Sequence, residues 1–447
     1  MSYSNKKWYK PEKLMTKIIF AVILLFVIRL LANIPVPFIN RNYLSTLFAD
    51  SSAYALLNTF SGGAFTNMTI MALGVTPYIS ASIILQLLCV TFPKLKELQK
   101  DFTAEGKKKW KLITIFTGVA LAVIQAIGMA VSLGKRGLFN EYNFKSVSVV
   151  CLVWVLGATV TILIGEYITR FCIGNGTSLI LASNIIAELP GDILSFWQMY
   201  INEKSISSII VAVIVFSIVV IGLISMTIVL TTAQKEVPVI YSRNTKSVYN
   251  SKSSIPIKLN TTGVMPIIFT STIFSIPLMF ISIGTTNKVA SAIYQMCSST
   301  YRYNIKNIYG IIGLVLDIVL VVMFAYFYTA MTFNTTEIAN RLKRQGACIP
   351  GIRPGQTTDE YLYNKVKYMT FIGAIMLFIL TQIPTIITHA TNMYSLSFGG
   401  TSVIIIVGVI LETTVAIRTE LLSKNYNKQM NSKEFFGISM KSSKYSS

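Results

Sequence analysis

Apolar runs alternate with short polar connections along the whole chain, and ten of them are long enough to cross a bilayer. They lie at Lys17 to Pro35, Ile70 to Thr91, Leu112 to Leu133, Val147 to Thr169, Ile173 to Leu189, Ile206 to Thr232, Gly263 to Ile283, Ile311 to Phe333, Tyr368 to Ile387 and Thr401 to Ile417. Crossing takes roughly 20 apolar residues, because a helix must satisfy every backbone polar group internally once water is gone. The pattern predicts an all-α integral membrane protein of ten transmembrane helices. The first run exceeds a signal-peptide core, contains Arg29 and ends in Ile34-Pro35-Val36-Pro37 without a small-residue cleavage site, so it is expected to stay attached.

Three features depart from a simple bundle. Leu56 to Asn67, between the first two runs, is half apolar and too short to cross. A re-entrant element is tolerated at membrane depth only where protein or a water-filled cavity surrounds it, which hints at an outer vestibule. A surface loop with a short amphipathic helix fits the same residues. The second run opens with Leu73-Gly74-Val75-Thr76-Pro77-Tyr78, and the seventh has Pro266 near its start and Pro277 further on. Both are expected to bend or part, since proline removes a backbone donor. Thr76, Ser80, Ser82 and Gln86 in one, with Thr270, Ser271, Thr272 and Ser275 in the other, are either a polar seam or packing residues that bond their own backbone. The ionisable residues within the runs are Arg29, Glu166, Asp317 and Glu412. Three are expected to reach the interface; Asp317 sits deeper and could face a partner subunit, the bundle interior or a water defect.

Composition agrees with the hydropathy pattern: 53% of the 447 residues are hydrophobic and 13% charged, against about a quarter charged in a soluble domain. A net charge of +21 ordinarily raises nucleic acid as a partner, but here the charges fall in alternate loops. About 30 Lys and Arg lie on the side of the amino terminus and about 8 on the other, so the positive-inside rule makes the rich side, with both termini, cytosolic. The same charge is expected to attract anionic lipid. Two connections on that side, 233–261 and 334–367, are long for a bundle, and long ordered loops tend to be functional, so they are candidate docking surfaces.

Catalytic chemistry is not indicated. The sequence has no GxxxxGK[ST] loop, and Gly174-Asn175-Gly176 lacks a third glycine and a preceding strand. The five cysteines are scattered without a CxxC pair, and the lone histidine, His389, is expected in a short loop. Neither a catalytic residue, a metal site nor a cofactor is expected, so energy must come from a partner or an ion gradient.

Several motifs in register resemble the SecY family of protein-conducting channels: Asn58-Thr59-Phe60-Ser61-Gly62-Gly63-Ala64, Pro77-Tyr78-Ile79-Ser80-Ala81-Ser82, Ile173-Gly174-Asn175-Gly176, Gly263-Val264-Met265-Pro266, Ile349-Pro350-Gly351-Ile352-Arg353-Pro354-Gly355 and Phe398-Gly399-Gly400-Thr401-Ser402. The matches run from about Lys17 to Leu422. The resemblance implies two inverted, pseudo-symmetric halves of five helices, 17–190 and 206–422, around an hourglass pore. It implies an external linker at 191–205, a cytosolic segment at 1–16 and a cytosolic tail at 423–447. It also implies a pore ring of Val75, Ile79, Thr177, Leu181, Ile268 and Ile405; residues of this kind read equally as core packing. The short segment becomes a plug helix at about 52–68 carrying Asn58, Phe60, Ser61, Gly62 and Gly63. A lateral gate between the second and seventh helices would include Ser82, Gln86, Thr270 and Ser271.

By the same resemblance the chain sits in the bacterial cytoplasmic membrane and conducts unfolded preproteins, accepts signal sequences and releases membrane helices to lipid. Its partners would be SecE-like and SecG-like small subunits, the SecA ATPase and the ribosome, with no other specific nucleic-acid binding. Lys235, Arg243, Arg341, Arg344 and Arg353 are the implied docking residues. Two positions depart from the family's pattern: Glu236 stands where adjacent basic residues are usual, and Thr177 makes one ring position more polar. A secondary transporter is the alternative from architecture, but it predicts charged groups at the midplane, which are scarce; a membrane-embedded enzyme would need an acid pair or a nucleophile and base, which the runs lack. Reversing the charge of Arg353, displayed between Pro350-Gly351 and Pro354-Gly355, is expected to leave membrane insertion intact and cripple ATP-driven secretion, read by export of a reporter preprotein from cells carrying Arg353→Glu.

Overall fold

The computed structural model describes residues 14–39, 55–101, 103–134, 137–139, 141–200, 206–241, 254–280, 288–298, 307–391 and 400–431. Arg243, the start of the plug segment and most of both termini lie outside them. The described chain is helical apart from four short strands. In order it runs α1 (Leu14–Leu31), α2 (Ala55–Ser61), α3 (Thr76–Thr91), α4 (Pro93–Lys100), α5 (Ala104–Gly134), α6 (Phe144–Phe171), α7 (Gly176–Tyr200), α8 (Ile206–Thr232), β1 (Gln234–Pro238), β2 (Ile240–Tyr241), β3 (Ser254–Lys258), α9 (Met265–Phe280), α10 (Lys288–Cys297), α11 (Ile308–Thr332), α12 (Thr335–Arg344), β4 (Ala347–Cys348), α13 (Gln356–Thr391) and α14 (Gly400–Asn431).

Each expected apolar run falls on a helix, but the lengths differ. Among the described residues, six stretches are long and apolar enough to cross a membrane, lying in α1, α5, α6, α11, α13 and α14. The bent pair α3 and α4, meeting at 120°, would make a seventh. α3 and α9 have 16 residues each, about 24 Å at 1.5 Å per residue and short of a hydrocarbon core of about 30 Å.

The prolines correct one expectation. Pro77 and Pro266 lie in the first turns of α3 and α9, where no amide hydrogen is needed and a fixed φ suits the helix, so they start these helices rather than bend them. Only Pro277 is interior to α9. The second helix accordingly begins at Thr76 rather than Ile70, and 70–75 is a run of turns. His389, expected in a loop, falls within α13.

α3 packs on α5, α5 on α6, and α6 on both α1 and α7; α9 packs on α11, α11 on α13, and α14 on α8 and α13. The two groups meet where α9 lies against α3 and α5, and where α14 lies against α7. At the basic end the long connections are not simple loops. β1 pairs antiparallel with β3, and β2 with β4, so that Ile240 sits opposite Cys348 and Tyr241 opposite Ala347. A small core of Val237, Ile257, Ile349, Leu362 and Val366 joins both connections to the extended start of α13.

Helix contact depends on small residues. At Gly157 of α6 an added Cβ would overlap the Ile70 carbonyl, so the turns before α3 rest directly on the α6 backbone. Gly157→Val is expected to destabilise the protein by about 1–3 kcal/mol through overpacking, whereas Gly191→Ala, whose new methyl meets nothing within 4 Å beyond its own helix turn, is expected to be nearly neutral; thermal unfolding of the purified protein in detergent distinguishes them.

Candidate functional site

An apolar knot forms where the two helix groups meet. Leu181 and Ile185 from α7, Ile268 from α9 and Ile405 from α14 are buried in one cluster with Phe60 from α2, and Ile79 of α3 packs against it. Val75 lies in an adjoining cluster with Ile180, which Ile79 also touches. Such side chains interlock by packing without directional bonds, and a constriction lined by them sheds water when empty.

Thr177 stands apart. Its hydroxyl donates to Asn175 Oδ1 at 2.8 Å, and its methyl faces Gly165 of α6, where an added Cβ would sit 3.1 Å away. Asn175 Oδ1 also accepts from the Thr177 amide at 3.2 Å, so Asn175 and Thr177 together shape the start of α7.

Polar contacts seat α2 against the knot. Asn184 of α7, 3% exposed, donates to the Phe60 carbonyl at 2.8 Å. Glu188, one turn further along the same face of α7, accepts from Asn58 Nδ2. Asn58 Oδ1 accepts from the amide and hydroxyl of Thr66 at 3.1 and 2.9 Å, and Ser61 Oγ accepts from the Phe65 amide at 3.0 Å. The chain turns at Gly62 and Gly63, with φ of +65° and +82°, a region glycine enters without steric cost. Arg29 of α1 donates to the carbonyls of Gly62, Ser183 and Asn184 at 3.0, 2.8 and 2.8 Å. Arg29 was expected to reach the interface; it reaches inward. Asn184 and Glu188 drew no attention in the sequence, although their i, i+4 spacing beside Leu181 and Ile185 marks one face of a helix.

Between α3 and α9 the hydroxyls donate to their own helices, although Ser80 Oγ also accepts from Gln125 of α5 at 3.5 Å. Thr270 donates to the Pro266 carbonyl at 2.9 Å, Thr272 to Ile268 at 2.7 Å and Ser275 to Ser271 at 2.7 Å. Ser80 likewise bonds Thr76 at 3.0 Å, and Gln86 donates to Ser82 at 3.1 Å. What joins the helices is apolar: Ile83, Phe269 and Phe324 form one buried cluster with Ile79 and Met265 against it. The seam is thus formed chiefly by apolar packing.

The remaining charges are placed as follows. Asp317 is 7% exposed and accepts from Gln382 at 3.0 Å, inside the bundle. Glu166 pairs with Lys111, and Lys17 of α1 pairs with Glu420 of α14 at 2.5 Å. Lys235, Arg341, Arg344 and Arg353 are exposed at the basic end. Arg353 sits between Gly351 and Gly355, both at positive φ, and its carbonyl accepts from Thr358 Oγ1 at 2.8 Å. Arg341 and Arg344 line an open cavity of about 580 Å³ with Asn334 and Asn340. Among the described residues no group of three His, Cys, Asp or Glu could hold a metal ion.

Removing the ring at the centre of the knot, by Phe60→Ala, is expected to cost about 3–5 kcal/mol of packing and to raise the ion conductance of the idle protein in a planar bilayer; a variant with unaltered conductance and thermal stability contradicts this arrangement.

The SecY family model matches residues 69–414. A protein translocase subunit SecY of Rickettsia bellii (strain RML369-C) is 37% identical over 93% of this chain and 96% of its own length. Two solved structures share the fold. One, described for a SecY protein whose plug domain stabilises the closed state of the translocation channel, covers 93% of this chain and 94% of its own at a TM-score of 0.64 and 18% identity. The other, Sec61 in the canine ribosome-channel complex from the endoplasmic reticulum, covers 93% and 94% at a TM-score of 0.63 and 16% identity.

Proposed function

This chain belongs to the SecY family and is a multi-pass membrane protein, a protein translocase subunit with the fold of a protein-conducting channel, and we propose that unfolded polypeptide passes through it at the apolar knot. The observation that carries this is the convergence of Leu181, Ile268 and Ile405 with Ile79 and Phe60, drawn from both groups of helices. Aliphatic side chains at such a point keep ions out while it is closed and yield around an extended chain without binding any one sequence.

In this reading the ten expected spans form two halves of five with inverted topology, α1, α3 and α5–α7 against α8, α9, α11, α13 and α14. Val75 joins the ring through its contact with Ile79. Thr177 lies at the ring's edge, and Thr177→Ile is the substitution expected to tighten it. The segment from Asn58 to Gly63 is the plug, a reading supported by its packing on the knot through Phe60 and by the plug domain of the structurally similar SecY protein. Signal sequences and membrane helices leave for lipid between α3 and α9, past Ser82, Gln86, Thr270 and Ser271, where apolar contacts and self-bonded hydroxyls favour parting.

The basic end faces the cytosol of a bacterial cell, with both termini there, as the charge asymmetry supports. The β1–β3 and β2–β4 pairings with α12 form the docking platform for the driving partner, a ribosome or a SecA-type ATPase; Lys235, Arg341, Arg344 and Arg353 make its contacts, with Arg243 in the same connection. The similar fold of a ribosome-bound channel supports ribosome association. Small SecE-like and SecG-like subunits cover part of the lipid-facing surface, and anionic lipid surrounds the basic end. The transporter reading finds no support among the relatives.

The gate is tested by cysteines at Ser82 and Thr270 in a chain whose five natural cysteines (Cys89, Cys151, Cys172, Cys297 and Cys348) are replaced. An arrested signal sequence is expected to lower the yield of the oxidised cross-link severalfold; an unchanged yield defeats the gate between α3 and α9.

A further inference from the structure

The polar contacts of the plug segment have one centre. Arg29 stands in the last turn of α1, and its fork bridges two backbone segments: one nitrogen donates to Gly62, the other to Ser183 and Asn184 of α7. A guanidinium suits this because its donors are fixed in a plane and it keeps its charge at every accessible pH. Charge-assisted bonds of this kind are stronger than neutral ones. The seat is matched from the other side, since an added Cβ at Gly62 would overlap the guanidinium and the Asn184 carbonyl. Asn184 then holds Phe60, and Glu188, whose charge acts on Arg29, holds Asn58.

We propose that Arg29 is the latch of the plug, a positioning residue that ties the turn at Gly62 to α7 in the idle channel and must release the Gly62 carbonyl before the plug can leave. The proposal rests on the plug reading given above. Packing of Phe60 in the knot supplies attraction but little direction, so by itself it would let the segment slide. The bonds to Ser183 and Asn184 fix the guanidinium on α7, so the bond to Gly62 forms only when that turn stands in one place, which makes the plug either seated or gone. Water is what competes for them: carbonyls and guanidinium exposed by the plug's departure are solvated at once, so a water-filled pore around a translocating chain lowers the cost of release. A closed, dry knot raises it. The latch therefore favours the seated state when the channel is empty and weakens when it is occupied.

The test uses the full-length protein with its small membrane subunits, reconstituted in planar bilayers without substrate, and reads ion conductance. Arg29→Gln is expected to raise the fraction of time spent conducting by about tenfold or more, the equivalent of one charge-assisted hydrogen bond lost. Arg29→Lys, which keeps the charge but not the fork, is expected to fall between it and the unaltered protein, and carries the test alone if the glutamine variant does not assemble. Deleting residues 56–67 is expected to leave the channel open to ions, and Arg29→Gln on that background to add nothing. Unaltered conductance in the single variants overturns the latch. So does a leak that adds to that of the deletion, because Arg29 would then act elsewhere. A deletion that does not leak overturns the plug reading itself, and it does so without reference to Arg29.

Discussion

A bilayer core offers no water to a broken backbone, and everything distinctive in this fold follows from how the chain meets that constraint where it is not helical. The stretch from Gly62 to Val75 turns repeatedly between α2 and α3. Polar groups of this stretch are met by side chains from α2 and α1, Asn58 on Thr66, Ser61 on Phe65 and Arg29 on Gly62, while Asn184 of α7 holds Phe60 at the end of α2. Remove these partners and an irregular segment could not rest at the centre of an apolar bundle. With them, a short helix can be seated there, as the proposed plug requires, because bonds to side chains can be exchanged for bonds to water.

The two joints of the molecule are built differently. The seam between α3 and α9 is apolar, with Ile83 packed against Phe269, itself edge-on to Phe324 of α11 at a centroid distance of 5.7 Å. The seat of α2 is polar and charged. Packing of the first kind tolerates sliding and partial separation, since each contact is worth little; bonding of the second kind is all or nothing. In the proposed function the first joint parts sideways and the second seals the axis.

Much of this was legible in the sequence, for stated reasons. The long apolar runs located the helices because hydropathy in a membrane protein answers to one solvent rule. Tertiary placement was not legible in the same way. Arg29 sits at the end of an apolar run, where snorkelling to the interface is the usual outcome, and only the approach of Gly62 and Ser183 turned it inward. Pro77 and Pro266 suggested kinks, yet a proline in a first turn leaves no bond unmade. Asn184 and Glu188 were hidden by being two polar residues on a helix otherwise apolar enough to read as a plain span. The strand pairings at 234–258 and 347–348 were masked by charge, which made those stretches resemble solvated loops.

The pairing of Lys17 with Glu420 joins the first helix to the last across 403 positions. A ribosome making roughly 5–20 residues each second would leave Lys17 without its partner for roughly 20–80 s. The contact can therefore form only after residue 420 has been made, so whatever it adds to joining α1 and α14 comes late in synthesis.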